Sequence, residues 1–279
     1  MAGIGLCCPW RRQEGSTVDW SKIKTIFIIA FLVLDVYLIY EFSKLRDASQ
    51  LALESEASVE NRLRADGIEF PELKNDNNEV NLINAERAEF TEEDLEDAKF
   101  DEQSAEINRG KELVVSLDEP YAIDEDADLE ELNTFLDAYI IHADQYAFWE
   151  RGETTITFYQ TFEGKMFYKN NNGRLTLFLN PEGEIVSYTQ TLLTGIEDRV
   201  EVEDPVPPLS AMETLYQNGK LLPNSVITDV EIGYYTFLSE NTTTYTLTPV
   251  WRFVVKDQGS LYVNVKYGDI IDLSNIENN

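Results

Sequence analysis

Thr154–Thr191 reads TTITFYQTFEGKMFYKNNNGRLTLFLNPEGEIVSYTQT, and this stretch decides the fold class. Apolar, aromatic and β-branched residues alternate with polar ones in four runs: 154–161, 165–169, 174–180 and 184–191. Between them stand Glu163-Gly164, Asn170 to Gly173 and Pro181 to Gly183, all turn formers. Alternating runs with such turns predict an antiparallel meander. Upstream, Leu129 to Trp149 carries Leu132, Phe135, Leu136, Tyr139 and Ile140 at the spacing of an amphipathic helix.

The same order of elements recurs downstream. A helix is expected over Leu209 to Asn218, with Pro207 and Pro208 at its start and Gly219 just past its end. Strands are expected at 225–237, 244–256, 260–266 and 269–273. The reading is an α+β fold of two helix-plus-antiparallel-meander modules, 129–196 and 206–275, joined by a linker at 197–205. Each sheet covers its helix with one face. The repeat rests on element order, since the two halves share little residue identity.

The region before them differs. From Glu54 to Glu131 there are 27 acidic and 7 basic residues, a large part of the net charge of −30. Aromatics there are few: Phe70, Phe90, Phe100 and Tyr121. High like charge with little apolar content predicts that 43–128 is an acidic, partly helical or loosely ordered segment. Within it, 49–64 reads as a polar helix, Thr91 to Asp94 as a helix start and Lys111 to Leu117 as a short strand.

Thr25 to Phe42, TIFIIAFLVLDVYLIYEF, lacks Gly and Pro and holds one charge, Asp35, before Glu41. As a helix it is about 27 Å long, close to the hydrocarbon thickness of a bilayer. No small-x-small cleavage site follows directly, so 25–42 is read as an uncleaved transmembrane helix rather than a signal peptide. Arg11, Arg12, Lys22 and Lys24 precede it, against Lys44 and Arg46 after it. The positive-inside rule therefore makes 1–24 a cytoplasmic stub and puts the remainder outside a cell membrane. Cys7 and Cys8 lie in the stub, so disulfides are not expected to hold the external part. Met1 to Thr17 has no pattern, and a compact membrane-approach segment begins at Val18. Translation is accordingly expected to begin at Val18, from a non-ATG codon.

Candidate chemistry is sparse. His142, the only histidine, stands beside Asp144 with no external Cys and no G-x-S-x-G elbow, so nucleophilic catalysis is not expected. Acidic pairs such as Glu92-Glu93 read as solvated surface. Asp124 to Asp128 offers oxygen ligands to calcium but lacks EF-hand spacing and its turn glycine. Phosphate loops, zinc clusters and basic patches for nucleic acid are absent, and no cofactor is expected. Asp35 is the sharper feature. A carboxylate within a bilayer costs several kcal/mol unless it snorkels, protonates or finds a partner. It shares a helix face with Ile28, Phe31, Leu32, Leu38, Ile39 and Phe42, and partner contact through that face is the expectation.

Residues Asp19 to Ile29 (DWSKIKTIFII), the Gln-Thr strand ends Phe158 to Thr161 and Tyr188 to Thr191, and Leu247 to Arg252 (LTPVWR) carry a resemblance. Over about residues 18–275 the chain resembles the YycI (WalI) family, accessory regulators of the YycFG/WalRK two-component system in low-GC Gram-positive bacteria. The resemblance implies a single-span protein with its soluble part outside. Its partners would be a membrane sensor histidine kinase of the YycG/WalK type, a companion regulator of the YycH type, and the lipid bilayer. It implies no catalytic residues. Residues 1–17 depart from the family pattern. The rival expectations are a scaffold domain whose helix is a simple anchor, and a membrane-tethered cell-wall enzyme.

Overall fold

The computed structural model describes residues 20–73, 80–96, 103–124, 129–236 and 244–273, with side chains except at 20–23, 26, 43–56, 96 and 103. The chain divides into two compact units, 1–57 and 58–279. Val18, the cysteine pair and residues 125–128 of the calcium candidate lie outside the described residues. Helix α1 runs from Trp20 to Ala65 and includes the expected polar helix at 49–64. It ends in a Schellman cap: Gly67, at φ +76°, donates to the Arg64 carbonyl, and Ile68 to that of Leu63.

The second unit is built on two antiparallel sheets. One contains β2 (Gln103–Asn108), β3 (Glu112–Tyr121), β4 (Tyr146–Arg151), β5 (Thr155–Phe162), β6 (Lys165–Met166), β7 (Arg174–Leu179) and β8 (Ile185–Gln190). Their order is β2-β3-β8-β7-β5-β4, with β6 attached to the end of β5. The other contains β1 (Asn81–Arg87), β9 (Leu193–Glu201), β10 (Ile227–Tyr235), β11 (Thr244–Val255), β12 (Gly259–Asn264) and β13 (Ile270–Ile271). It is ordered β13-β12-β11-β1-β9, with β10 also paired to β11.

Each sheet covers a helix. Leu132, Phe135 and Leu136 of α2 (Leu129–Tyr139) enter the first core with Val115, Phe158, Leu177 and Tyr188. Burying each such side chain contributes about 1.5–3 kcal/mol. Leu209, Met212 and Leu215 of α3 (Pro208–Gln217) enter the second core with Val59 and Leu63, from the end of α1, and Phe253.

The structure departs from the sequence reading in five places. The helix expected over 129–149 stops at Tyr139, because His142 adopts left-handed φ/ψ and Tyr146 onward pairs with β5. The stretch 165–169 is not a central meander strand: β5 pairs directly with β7, and Phe167 and Tyr168 are buried. Residues 197–205, expected as a linker, begin as strand, since β9 pairs with β1 as far as Glu201. The acidic segment 43–128 supplies three strands, and Ile83 and Ala85 of β1 are fully buried. Charge density masked them because β1 keeps its acidic residue, Glu86, near its end. The expected helix start at Thr91 is a single 3₁₀ turn over Asp94–Glu96, with the Thr91 amide and hydroxyl both donating to Asp94 Oδ2.

Candidate functional site

The six residues expected to meet a partner, Ile28, Phe31, Leu32, Asp35, Leu38 and Ile39, all lie on α1 and are all exposed. The opposite side is equally bare: Val33 is 63 % exposed, Val36 59 % and Tyr40 65 %. The structure brings the six together on one helix but does not set their face apart from the rest. Side chains here are described without a break only from 27 to 42. Among the described residues no helix is long and apolar enough to cross a membrane.

In the second unit the residues that carried the resemblance converge where the two sheets join. The chain leaves β8 at Gln190 and enters β9 at Leu193, so Thr191 and Leu192 are the crossover. Gln160, fully buried, clamps its far side. Its Nε2 donates to the Leu193 carbonyl at 2.7 Å and to Gln145 Oε1 at 2.9 Å, and its Oε1 accepts from the Leu193 amide at 2.8 Å. Thr191 Oγ1 accepts from the Arg174 amide at 2.9 Å and donates to the Asn171 carbonyl at 2.8 Å. Gln190 Nε2 donates to the Ile141 carbonyl at 2.6 Å, and Tyr146 Oη donates to the Thr191 carbonyl at 2.6 Å. Buried amides repay their desolvation only when so paired. The Gln-Thr repeats are therefore structural staples. A strand ending in Gln-Thr was legible; what the amides would grip depended on the crossover.

A second junction lies at Arg252. Its guanidinium stands 4.4 Å from the Trp149 ring centroid, donates to Glu231 Oε2 at 2.8 Å and to Ser260 Oγ at 2.9 Å. Tyr168 Oη donates to the same Glu231 oxygen at 3.3 Å. Strands of both sheets thus meet on one cation. Burial, reinforced by the Glu231 carboxylate, pushes the Tyr168 hydroxyl well above its ordinary range. Burial does the same at Tyr146, where the Gln190 hydrogen bond offsets part of it. Tyr234 is pushed up to about 12, by burial first and then by Asp198 and Glu163. These hydroxyls are donors at neutral pH, not bases. A cleft of ≈620 Å³ opens beside Arg252, with Lys169, Lys220, Glu150 and Asp272 among its lining. Opposite charges line it together.

β6 crosses β10 at Gly233. A Cβ there would overlap the Tyr168 ring and stand 2.5 Å from the Met166 carbonyl oxygen. The Tyr168 amide donates to the Tyr234 carbonyl at this crossing, at 2.8 Å. His142 is exposed at the start of a 3₁₀ turn, in left-handed φ/ψ. Among the described residues no three His, Cys, Asp or Glu side chains converge as metal ligands.

The first sheet has one further face, opposite α2. Register places Val114, Thr189, Thr176 and Thr157 in one cross-strand row, and Ser116, Ser187, Phe178 and Thr155 in the next. Ser116 and Phe178 are exposed and the others half-buried. Among the described residues, neither Val114 nor Phe178 packs into a hydrophobic cluster.

The fold defines an α+β protein in which two antiparallel sheets, each carrying a helix, are stapled by buried amides and one shared arginine. The chain belongs to the YycI protein family, whose model matches residues 47–267. No curated protein matches it. Among solved structures it is similar to an uncharacterized protein from Eubacterium rectale, with 10 % identity, 74 % of this chain and 89 % of that one covered, and a TM-score of 0.46. It is also similar to the Bacillus megaterium YpeB C-terminal domain, with 12 % identity, 78 % and 95 % covered, and a TM-score of 0.40.

Proposed function

We propose that the chain is a non-enzymatic, single-pass membrane regulator of the sensor histidine kinase in the YycFG two-component system, with its N-terminus cytoplasmic and its sheets outside. Family membership supports the coarse part, since YycI proteins are regulatory accessories of that system rather than known enzymes. The observation that carries the rest is the exposure of apolar side chains on every side of α1 between Phe27 and Phe42. A helix apolar all round is stable only within a protein core or in lipid.

The span then packs beside kinase helices and biases their two-state equilibrium, with a YycH-type companion contributing. Such bias requires a different affinity for each kinase state. Asp35 is the natural contact, because a lone carboxylate in hydrocarbon costs about 2.5–3.5 kcal/mol on insertion scales. Single cysteines along Ile28 to Ile39, crosslinked in cells with kinase output read in parallel, test this. Crosslinks to the kinase or companion with helical period, centred on the Asp35 face, are expected. Absent or aperiodic crosslinks, with output intact after exchange for an unrelated apolar helix, would overturn it and make the helix a simple anchor for an external scaffold.

A further inference from the structure

We propose that the cleft beside Arg252 binds a short peptide with free termini, its α-carboxylate held by Arg252, Tyr262 and Lys220 and its ammonium by Glu150. Register sets Glu231, Arg252, Tyr262 and Ile271 in one cross-strand row. Strand alternation keeps Phe253 and Val263 on the side of α3, so this row floors the cleft from the opposite face. Two groups in the row can donate further. The bonds of Arg252 to Glu231 and Ser260 use Nη1 and Nε, and Nη2 takes part in neither. Tyr262 is 3 % exposed, and its hydroxyl reaches no acceptor. Burial pushes that hydroxyl above its ordinary range, so it is a donor at neutral pH. A buried donor without an acceptor costs stability until an oxygen reaches it.

Both groups donate, so the partner they lack is an acceptor. Lys220, exposed on the same cleft, enters no ion pair among the described residues. Such a gathering of donors is unusual in a chain with 52 acidic against 22 basic residues, and it draws an anion. A carboxylate suits the planar guanidinium. Phosphate suits the cleft less well, because Glu150 and Asp272 also line it and repel a dianion. The same two carboxylates attract an ammonium, so a zwitterion matches both signs. Val254, Ile271 and Leu273 supply apolar wall for small side chains. The volume of ≈620 Å³ falls in the range of small-molecule sites, about 300–1,000 Å³. Trp149 and Lys169 close the cleft from the other sheet, so a bound peptide touches both.

The test is calorimetric titration of the full chain in lipid nanodiscs with tri-alanine, tri-alanine amide, N-acetyl-tri-alanine and inorganic phosphate. Tri-alanine is expected to bind, with the amide about tenfold weaker and the acetylated peptide weaker by severalfold. Tyr262→Phe should weaken tri-alanine about tenfold while its thermal melt does not fall, since the variant deletes an unmet donor. Lys220→Gln should also weaken binding, and Lys111→Gln, on the hairpin between β2 and β3, should not. No binding of tri-alanine, equal binding of its amide, phosphate binding tighter than the peptide, or affinity insensitive to both Tyr262→Phe and Lys220→Gln would each overturn the proposal. A lowered Tyr262→Phe melt would show the hydroxyl already bonded and overturn its part in the site. The site owes nothing to the membrane span, so its loss would leave the proposed function standing.

Discussion

Gly233→Ala puts one methyl group where β6 crosses β10, and its cost follows from the geometry. The new Cβ would stand 2.5 Å from the Met166 carbonyl oxygen and 2.6 Å from Tyr168 Cζ. Real Cβ contacts below 3.0 Å are essentially never seen, so something must move. Neither neighbour moves cheaply: one is backbone, and the other is a ring 1 % exposed that packs against Trp149 and Tyr262. Overpacking of this kind costs about 1–3 kcal/mol. Displacing β6 also endangers the hydrogen bond from the Tyr168 amide to the Tyr234 carbonyl, at about 1 kcal/mol. The expected loss is about 3 kcal/mol, or roughly 6–12 °C in Tm for a unit of this size. Gly152→Ala is the control, because its nearest neighbours would lie at 3.5 and 3.6 Å. Thermal melts of both variants, followed by circular dichroism, decide the matter. A Gly233→Ala melt within 1 °C of Gly152→Ala would refute the crossing as described.

Other outcomes follow from the junctions and cores. Gln160→Leu leaves the Leu193 amide and carbonyl unpaired in a buried crossover, and urea titration should show a loss of about 2–4 kcal/mol. An unchanged midpoint would mean the clamp is not made. Leu63→Ala, at 1 % exposure, removes an anchor of α1 on the second core and should cost about 2–5 kcal/mol. Thr176→Ala, on the open face, should stay within about 0.5 kcal/mol. High pH should unfold the protein through its buried tyrosines. Tyr234 rises from 10.0 unfolded to about 12 folded, so its contribution is complete below pH 10 and is lost as pH climbs from 10 through 12. Tyr146, Tyr168 and Tyr188 are shifted in the same direction. Absorbance at 295 nm should show these hydroxyls ionising together with unfolding. Smooth titration of all 14 tyrosines near pH 10 in a folded protein would contradict the burial.

Local pattern served well where local forces decide. Pro207 as the N-cap of α3, Pro208 as its first residue and Gly219 after it mark that helix closely, because its cap is a short-range structure: Gly219 donates to the Tyr216 carbonyl and Lys220 to that of Leu215. The runs at 154–161 and 174–180 became β5 and β7 with ends shifted by a residue. Leu129 to Trp149 misled because the helical period holds only as far as Ile140, whereas Tyr146 and Phe148 alternate as in a strand. Pairing of Tyr146 with Gln160 and Phe148 with Phe158 chose the strand. The acidic segment misled for a related reason: its charge is counted over tens of residues, whereas β1 needs only Ile83 and Ala85 on one face.

By itself, therefore, the sequence determined the α+β class with antiparallel strands, the apolar helix segment with its one carboxylate, and the family. Each of these is written in residue type and short spacing, where side-chain alternation and turn chemistry act over a few residues. Tertiary structure alone decided that β1 lies between β9 and β11, that β5 pairs directly with β7, and that Gln160 grips Leu193 from 33 residues away. It also joined Arg252 to Trp149 across the two sheets. Such pairings match groups far apart in the chain, and their energy comes from excluding water at one place, which no stretch of sequence records.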